Sequence, residues 1–194
     1  MDEQVLQAMK RWPDVPAVYG WLRLDRRGRW MLVDRGRPGF DERLHGEGSP
    51  ITSPQILDFI GRNYAHEPDG RWFWQNGPQR VYVDLEAAPL VLRVLGSGAD
   101  ARLVAHTGEP VSRVDAAWWD AQGNLVLATD LGPGAVHDLD LAGLALDDAP
   151  PGGAGDLAAG DDAPQAWLTV LGRVLPVRQR PQDGREPFVR RPRG

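Results

Sequence analysis

The first apolar positions of the chain recur at helical spacing. Val5, Leu6 and Met9 fall on one side of a helix. The Trp-Pro pair at 12–13 ends this segment, because proline lacks an N–H and disfavours helical geometry in the residue before it. The pattern predicts a short amphipathic helix over residues 3–11.

The Ser53-Pro54 pair predicts the start of a second helix. Serine can accept hydrogen bonds from the free N–H groups of the first turn, and proline fits the first helical position, where its missing N–H costs nothing. The apolar residues that follow share one face, which predicts the main helix of the chain over residues 54–64. These residues are Ile56, Leu57, Ile60 and Tyr64.

An aromatic hairpin follows this helix. Residues 71–75 and 80–85 alternate large apolar and polar side chains across an Asn76-Gly77 pair. Asn-Gly is a preferred two-residue hairpin turn, because both central positions need positive φ. Pro78 cannot donate to a strand ladder, so we expect an edge or a slightly wider turn at this point.

Short apolar runs separated by turn residues fill most of the remaining chain. Asp-x-x-Gly turns recur at 25–28 and 120–123. Short strands at steady spacing indicate a rolled or barrel-like sheet. The runs are 21–24, 30–33, 90–95, 102–106, 109–111, 117–119, 125–128, 166–171, 174–177 and the partly alternating 136–146.

These elements predict an α+β protein. We expect an α/β N-terminal subdomain with one main helix, followed by a mostly antiparallel β roll or barrel-like C-terminal subdomain. Residues 34–50 are rich in glycine, proline and charge, which predicts a loop. The predicted segments are an α/β subdomain over 1–89, a β roll over 90–146, an acidic flexible linker over 147–165, a returning hairpin over 166–178 and a disordered Arg/Pro tail over 179–194.

Composition and charge narrow the class of protein. The 194 residues carry a net charge of −5 and no cysteine, which excludes a disulfide scaffold, a thiol nucleophile and a cysteine-ligated metal. Residues 84–172 hold 3 basic and 14 acidic side chains, whereas residues 173–194 hold 7 arginines and 2 acidic residues. Nucleic-acid binders usually carry a net positive charge on the folded domain, and the residues before the arginine-rich tail do not.

Neither a membrane span nor a secretory signal is visible. No run approaches the roughly 18–20 apolar residues that a span requires. The first four residues lack the basic start and apolar stretch of a signal peptide. We therefore expect no membrane partner and a cytoplasmic location.

Several short motifs follow one another in a characteristic order: the 25–30 hairpin, Ser49-Pro50-Ile51, Asp69-Gly70-Arg71-Trp72, the run 83–90, the run 106–111 and the closing Trp167 strand. Their order and spacing resemble a bacterial family catalogued as domain of unknown function 1285. The likeness spans roughly residues 20–178 and rests on no single specific motif. It implies an α/β N-terminal subdomain and a mostly β C-terminal roll, and it carries over no catalytic residues.

No set of residues has the spacing of a known catalytic or metal-binding motif. The four histidines are scattered, without a His-x-x-x-His pair, so we predict no metal and no cofactor. None of the four serines lies in a Gly-x-Ser-x-Gly elbow, and no phosphate-binding glycine loop is present. The histidines are His45, His66, His106 and His137.

A dense aromatic set without reactive partners favours a non-catalytic module that binds a small ligand or a protein. We predict its groove between the helix at 54–64 and the hairpin at 71–85, because aromatic side chains beside arginine can stack against a ligand. The predicted ligand-binding residues are Trp72, Trp74, Arg80, Tyr82, His66 and Asn63.

Two alternatives of other classes stay open at this point. One is a hydrolase-like enzyme that uses His66 and Asp69 as acid and base. The other is contact with nucleic acid through the arginine-rich tail, which the charge of the body disfavours. An exposed edge strand would also allow a homodimer.

Overall fold

The structure, a computed structural model, describes residues 1–98, 100–150, 163–179 and 186–194. Over these residues the protein is mostly β with few helices, and it contains two sheets, one of them curled into half a barrel. At this level the predicted α+β class is confirmed. Contacts divide the chain into two units: unit 1 comprises Met1–Ala87 and Pro187–Gly194, and unit 2 comprises Ala88–Glu186.

Unit 1 is built on a six-stranded sheet of order β3-β2-β1-β6-β5-β4. The central β1 and β6 run parallel, and the other neighbours pair antiparallel. Its elements are α1 (Glu3–Arg11), β1 (Val18–Leu24), β2 (Trp30–Leu32), α2 (Glu42–His45), β3 (Ser49–Pro50), α3 (Pro54–Arg62), β4 (Tyr64–His66), β5 (Trp72–Asn76) and β6 (Gln79–Leu85).

The two helices predicted from apolar spacing are present. Helix α1 has the predicted bounds. Helix α3 ends at Arg62, two residues before the predicted end, because the Asn63 backbone leaves helical geometry and Tyr64 already begins β4. Only Asn63 therefore separates α3 from β4, the edge strand of the sheet.

The hairpin turn between β5 and β6 lies one residue later than predicted. Asn76 pairs with Gln79, so the two loop residues are Gly77 and Pro78 rather than Asn76 and Gly77. Gly77 takes φ 58°, and proline, with its fixed negative φ and no N–H to lose, suits the position after it. The asparagine is left free to pair within the strand.

The predicted loop over 34–50 contains regular structure. Asp41 caps the short helix α2, because its carboxylate accepts hydrogen bonds from the Arg43 N–H at 2.8 Å and the Leu44 N–H at 3.1 Å. Strand β3 then pairs with β2 at the edge of the sheet. The helix depends on the single Asp41 cap, whereas the glycine and proline content of the whole segment indicates a loop.

Unit 2 is built on an eight-stranded sheet of order β12-β13-β14-β9-β10-β11-β7-β8. Most neighbours pair antiparallel, and β11–β7 and β14–β9 pair parallel. Its strands are β7 (Leu90–Leu95), β8 (Arg102–Ala105), β9 (Val114–Trp119), β10 (Leu125–Thr129), β11 (Gly132–Val136), β12 (Ala145–Asp147), β13 (Ala166–Val170) and β14 (Arg173–Gln179).

The partly alternating run 136–146 does not form a strand throughout. A 3₁₀ helix occupies Asp138–Gly143, and the His137 ring accepts a hydrogen bond from the Leu139 N–H at 3.2 Å. The Asp140 carboxylate accepts from Arg93 Nε at 2.5 Å and from the Val94 N–H at 3.1 Å. These side chains satisfy backbone groups that a strand would have paired with a neighbour.

Two predicted segments fall partly outside the described residues. Residues 151–162 of the predicted acidic linker lie outside them, and so do residues 180–185 of the predicted tail. The returning hairpin is present as β13 and β14, joined by a turn in which Leu171 and Gly172 take φ 50° and 71°.

The described end of the predicted disordered tail is ordered and belongs to unit 1. The Leu85 N–H donates to Arg190 O at 2.7 Å, and the Val189 N–H donates to Gly70 O at 2.9 Å. Phe188 is only 4% exposed. Arginine and proline content suggested a solvated segment, but one buried aromatic ring and paired backbone groups offset the entropy of ordering it.

We predict that Phe188→Ala lowers the free energy of unfolding by about 3 kcal/mol, because it removes a buried aromatic side chain. Chemical denaturation followed by intrinsic fluorescence measures this change. Val189→Ala is the matched control, since the side chain is 36% exposed and its loss costs about 0.5 kcal/mol. A Phe188→Ala variant as stable as the wild type would show that the Phe188 ring does not stabilise the fold.

Candidate functional site

Unit 1 contains a pocket of about 400 Å³, which we call the Gln75 pocket. The end of α1 and the segment after it form one wall, and the β5–β6 hairpin forms the other. Six of the nine lining residues are apolar, and the three polar side chains come from the hairpin. The lining residues are Met9, Trp12, Pro13, Val15, Ala17, Gln75, Pro78, Arg80 and Tyr82.

Strand alternation decides which hairpin side chains reach this pocket. Residues paired across β5 and β6 share a face of the sheet, and their neighbours along each strand point to the other face. Gln75 pairs with Arg80, and Phe73 pairs with Tyr82. These four side chains share one face, which we call the pocket face.

The chain after α1 is held over the hairpin by prolines and one hydrogen bond. Pro13 and Pro16 prevent α1 from continuing. The Pro16 carbonyl accepts a hydrogen bond from Gln79 Nε2 at 3.3 Å. The segment turns at residues 13–14 and reaches the end of the hairpin at Pro16, and Val15 and Ala17 line the pocket.

Gln75 is the most buried polar side chain of the pocket, at 1% exposure. Its Nε2 donates to Gly77 O at 3.0 Å. Its Oε1 is buried and accepts no hydrogen bond from any part of the chain that the structure describes. A buried acceptor without a donor costs about 1–3 kcal/mol, and at this burial the oxygen is closed to a group in the pocket.

Arg80 lines the pocket beside Gln75. Its Nη1 forms a short ion pair with Glu67 Oε1, and its guanidinium lies 4.1 Å from the centre of the Phe73 ring. The side chain is about one-third exposed. The arginine is thus held flat against the sheet while part of it stays accessible from the pocket.

Tyr82 is buried between aromatic and charged neighbours. Its ring stacks on Tyr19 with centres 4.7 Å apart, and its hydroxyl donates to Glu67 Oε2 at 2.8 Å. Desolvation, together with the hydrogen bond to Glu67, raises the pKa of the Tyr82 phenol. The phenol stays protonated and acts as a donor to the carboxylate.

One carboxylate organises the charges beside the pocket. Glu67 accepts from Arg80 and Tyr82, and its Oε2 lies 2.6 Å from Arg71 Nη2. Arg71 also binds Asp69, with Nε 2.8 Å from Oδ2. Glu67 is therefore shared among three donors, and sequence reasoning overlooked it because it lies in the turn Glu67-Pro68-Asp69-Gly70.

The structure does not bring the six predicted ligand-binding residues into one site. Trp72 and Trp74 lie on the opposite face from Arg80 and Tyr82. Trp72 is 4% exposed, and Trp74 contacts Phe59 of α3 with ring centres 5.9 Å apart. The expected groove between the helix and the hairpin is therefore filled by these side chains.

Asn63 is a structural residue between the helices of unit 1. It is fully buried, and its Oδ1 accepts from the Asp2 N–H at 2.8 Å. Its Nδ2 donates to Phe59 O at 2.9 Å and to Asp2 Oδ2 at 3.2 Å. Its polar atoms are engaged within the chain, so we leave Asn63 out of the candidate site.

His66 and Asp69, the pair of the hydrolase-like alternative, are both exposed. The His66 ring lies against Trp72 with centres 4.8 Å apart, and the Asp69 carboxylate binds Arg71. Neither residue lines the Gln75 pocket. Their positions therefore lend no support to acid–base catalysis by this pair.

Two further pockets lie elsewhere, one in each unit. A pocket of about 200 Å³ lies beside α2 and includes His45 and Glu47. A pocket of about 390 Å³ lies in unit 2, between β9 and β14, and includes Trp118, Pro176 and Arg178. Gln75 is a buried polar side chain that lines its pocket, whereas neither of these two is lined by a side chain of that kind.

In residues 1–98, 100–150, 163–179 and 186–194, no group of three or more histidine, aspartate or glutamate side chains is placed to hold a metal ion. In the same ranges, no helix has the length and apolar character needed to cross a bilayer.

Fold and site together define a mostly β, α+β protein of unknown function. A family model named DUF2944, described as "Protein of unknown function (DUF2946)", matches residues 1–191, so the chain belongs to this family. No curated protein matches the chain.

A solved structure supports the same class. The chain is similar to the crystal structure of a DUF1285 family protein from Silicibacter pomeroyi DSS-3, with 17% identity and a TM-score of 0.50. The match covers 89% of this chain and 87% of that chain. The resemblance to domain of unknown function 1285 is thereby confirmed for the fold.

We predict that the free energy of unfolding falls less with rising pH in Tyr82→Phe than in the wild-type protein. The folded-state pKa of Tyr82 is raised above the ordinary 10.0. Its contribution is therefore complete below about pH 10 and is lost as the pH rises through the folded pKa. Near neutral pH the variant loses about 1 kcal/mol with the hydrogen bond to Glu67.

Denaturation of the protein and of Tyr82→Phe, measured at a series of pH values from neutral to above 10, tests this prediction. The wild-type curve should fall more steeply with pH than the curve of the variant. Burial also raises the pKa of Tyr64, so the stability of both proteins should still fall to some extent as the pH rises. Parallel curves would mean that Tyr82 titrates as an ordinary phenol.

Proposed function

We propose that this protein is a non-catalytic binding module and that the Gln75 pocket is its site. The observation that carries the proposal is the pocket itself, which has a volume of about 400 Å³ and which Gln75, Arg80 and Tyr82 of one sheet face line together with the segment after α1. The Arg80 side chain is about one-third exposed, so part of a charged donor is open to a bound group.

A small ligand fits this pocket better than a broad protein surface does. A volume of about 400 Å³ falls within the range of known ligand pockets, roughly 300–1,000 Å³. Apolar walls with a few fixed polar groups are typical of such sites, since the polar groups orient the ligand. A protein partner could use this pocket only by inserting a side chain or a chain end into it.

The proposal includes a more detailed description of the two units. Unit 1 is proposed to be an α/β subdomain with one main helix, and unit 2 a mostly antiparallel β roll. Under this division the proposed site lies wholly within the N-terminal subdomain. A homodimer, contact with nucleic acid through the tail and a cytoplasmic location stay predictions.

The test is a screen of polar small molecules and capped peptides by ligand-observed NMR. We expect hits whose signal is lost with Ala17→Leu, because the larger side chain occupies pocket volume. Ala116→Leu is the matched control, as it makes the same change at the pocket of unit 2. Circular dichroism checks that both variants fold.

Two outcomes contradict the proposal. One is a screen without any hit on the wild-type protein. The other is a set of hits that bind Ala17→Leu as well as they bind the wild type. Hits lost only with Ala116→Leu would likewise move the function to unit 2.

A further inference from the structure

The end of β6 brings two arginine-rich segments of the chain together in unit 1. On one side, the Glu86 N–H donates to Leu24 O at 3.0 Å, which joins this end to the segment 23–29. On the other side, the Leu85 N–H donates at 2.7 Å to the first carbonyl of the segment 190–193. The two segments lie near opposite ends of the sequence, so only the fold makes them one surface.

The joined segments carry a strong excess of positive charge. Residues 23–29, 84–86 and 190–193 hold seven arginines and three acidic residues, a net charge of +4. We call the surface that they form the arginine patch. Unit 1 as a whole holds 15 basic and 13 acidic residues, whereas unit 2 holds 7 basic and 14 acidic residues. The patch is therefore a local feature of a chain whose net charge is −5.

Glu86 holds three of these arginines in place. Its Oε2 lies 2.8 Å from Arg23 Nη2, and its Oε1 lies 2.7 Å from Arg26 Nε. Its backbone carbonyl accepts a hydrogen bond from Arg190 Nη1 at 2.7 Å. One carboxylate thus serves guanidiniums from both segments and neutralises the charge of only one. The Arg26 side chain is 57% exposed, so N–H groups that Glu86 does not use are open to an anion.

Two arginines of the C-terminal segment flank a buried proline. Pro192 is buried, whereas Arg191 and Arg193 are exposed. Among the residues that the structure describes, neither guanidinium has an ion-pair or hydrogen-bond partner. Desolvation raises the pKa of Asp84, and the charges of Arg193 and Arg191 act in the opposite direction. Both guanidiniums therefore lie close to the end of β6 and keep their donors for a partner.

An extended polyanion fits this surface better than a small anion does. None of the three pockets described above is lined by a residue of the arginine patch. A small anion would meet one or two guanidiniums on an open surface, whereas a chain of phosphates meets several at once. The chemistry of the patch therefore points to a polymer of phosphates.

The composition of the patch favours duplex nucleic acid over a single strand or a membrane. Its three segments contain no aromatic residue, whereas proteins that bind single strands stack the bases on aromatic rings. Its two leucines, Leu24 and Leu85, are 0% and 4% exposed, so neither can insert into lipid. A duplex needs only donors to its outward phosphates.

We propose that the arginine patch binds the phosphodiester backbone of double-stranded DNA. Guanidiniums match phosphates with paired hydrogen bonds, and the duplex carries one negative charge per about 1.7 Å of its axis. Because the contacts are to phosphates, binding does not depend on base sequence. We expect about four phosphate contacts, made by the exposed side chains of Arg26, Arg29, Arg191 and Arg193.

The test measures binding of a labelled DNA duplex to the full-length protein by fluorescence anisotropy. With a duplex of about 20 base pairs and mixed sequence, the logarithm of the association constant is plotted against that of NaCl concentration between about 50 and 200 mM. We expect a slope of about −4, because each phosphate contact contributes about −0.9. No binding at the lowest salt concentration, or an affinity that does not change with salt, would overturn the proposal.

Paired variants assign the binding to the patch. Arg191→Gln/Arg193→Gln should bind about tenfold more weakly at the lowest salt concentration, with a slope of about −2, because two phosphate contacts are lost. Arg191→Lys/Arg193→Lys should stay within about threefold of the wild-type affinity, since lysine also binds phosphate through its charge. Lys10→Gln/Arg11→Gln is the matched control, because it removes the same charge from exposed residues at the end of α1, and it should keep the wild-type slope.

Other partners and other surfaces give different results. Wild-type affinity and slope in Arg191→Gln/Arg193→Gln would overturn the role of the patch, and an equal loss in Lys10→Gln/Arg11→Gln would show that only net charge matters. Tighter binding of a single strand of the same length would exclude a duplex as the partner. Co-sedimentation with vesicles of phosphatidylserine and phosphatidylcholine, without binding of the duplex, would identify a membrane partner instead. The proposal does not rest on a ligand in the Gln75 pocket, so it stands or falls separately from the proposed function.

Discussion

The pairing of β5 with β6 determines what each side of the unit 1 sheet can do. Strand alternation sends Trp72 and Trp74 to one face, and Gln75 with its register partner Arg80 to the other. Trp74 packs against Phe59 of α3, and Trp72 packs against Tyr64 and His66 of β4, so both rings are used in packing. On the second face, Gln75 and Arg80 line a pocket together with the segment after α1.

Local chemistry explains which elements the sequence predicts well. Apolar spacing and a following proline define α1 to the residue, and the Asp-x-x-Gly turns form as expected. Asp25 Oδ1 accepts from the Arg29 N–H at 2.8 Å, and Asp120 Oδ1 accepts from the Asn124 N–H at the same distance. In each case the determining atoms lie within a few residues of each other.

The errors about the C-terminal segment and the groove concern interactions between distant parts of the chain. The C-terminal segment is ordered because Phe188 and Arg190 meet groups about one hundred residues earlier, which composition cannot reveal. The sequence shows how many aromatic residues the hairpin contains, but it does not show which face of the sheet α3 covers. It therefore predicts a groove lined by Trp72 and Trp74, where the structure has a packed interface. Gln75 offered one usable signal, since a glutamine that directly follows Trp-Phe-Trp lies where a buried side chain is expected.

Two neighbouring residues of β5 show why an unpartnered polar atom needs its surroundings to be informative. In the described residues, Trp74 Nε1 and Gln75 Oε1 are both buried without a hydrogen-bond partner. The indole lies on the helix face, where its ring contacts Phe59, so its packing compensates for the lost hydrogen bond. Gln75 lies on the other face, where its Nε2 donates to Gly77 O and the residue borders a pocket. The two unpartnered atoms therefore lie on opposite faces of one strand, and each is a cost of packing.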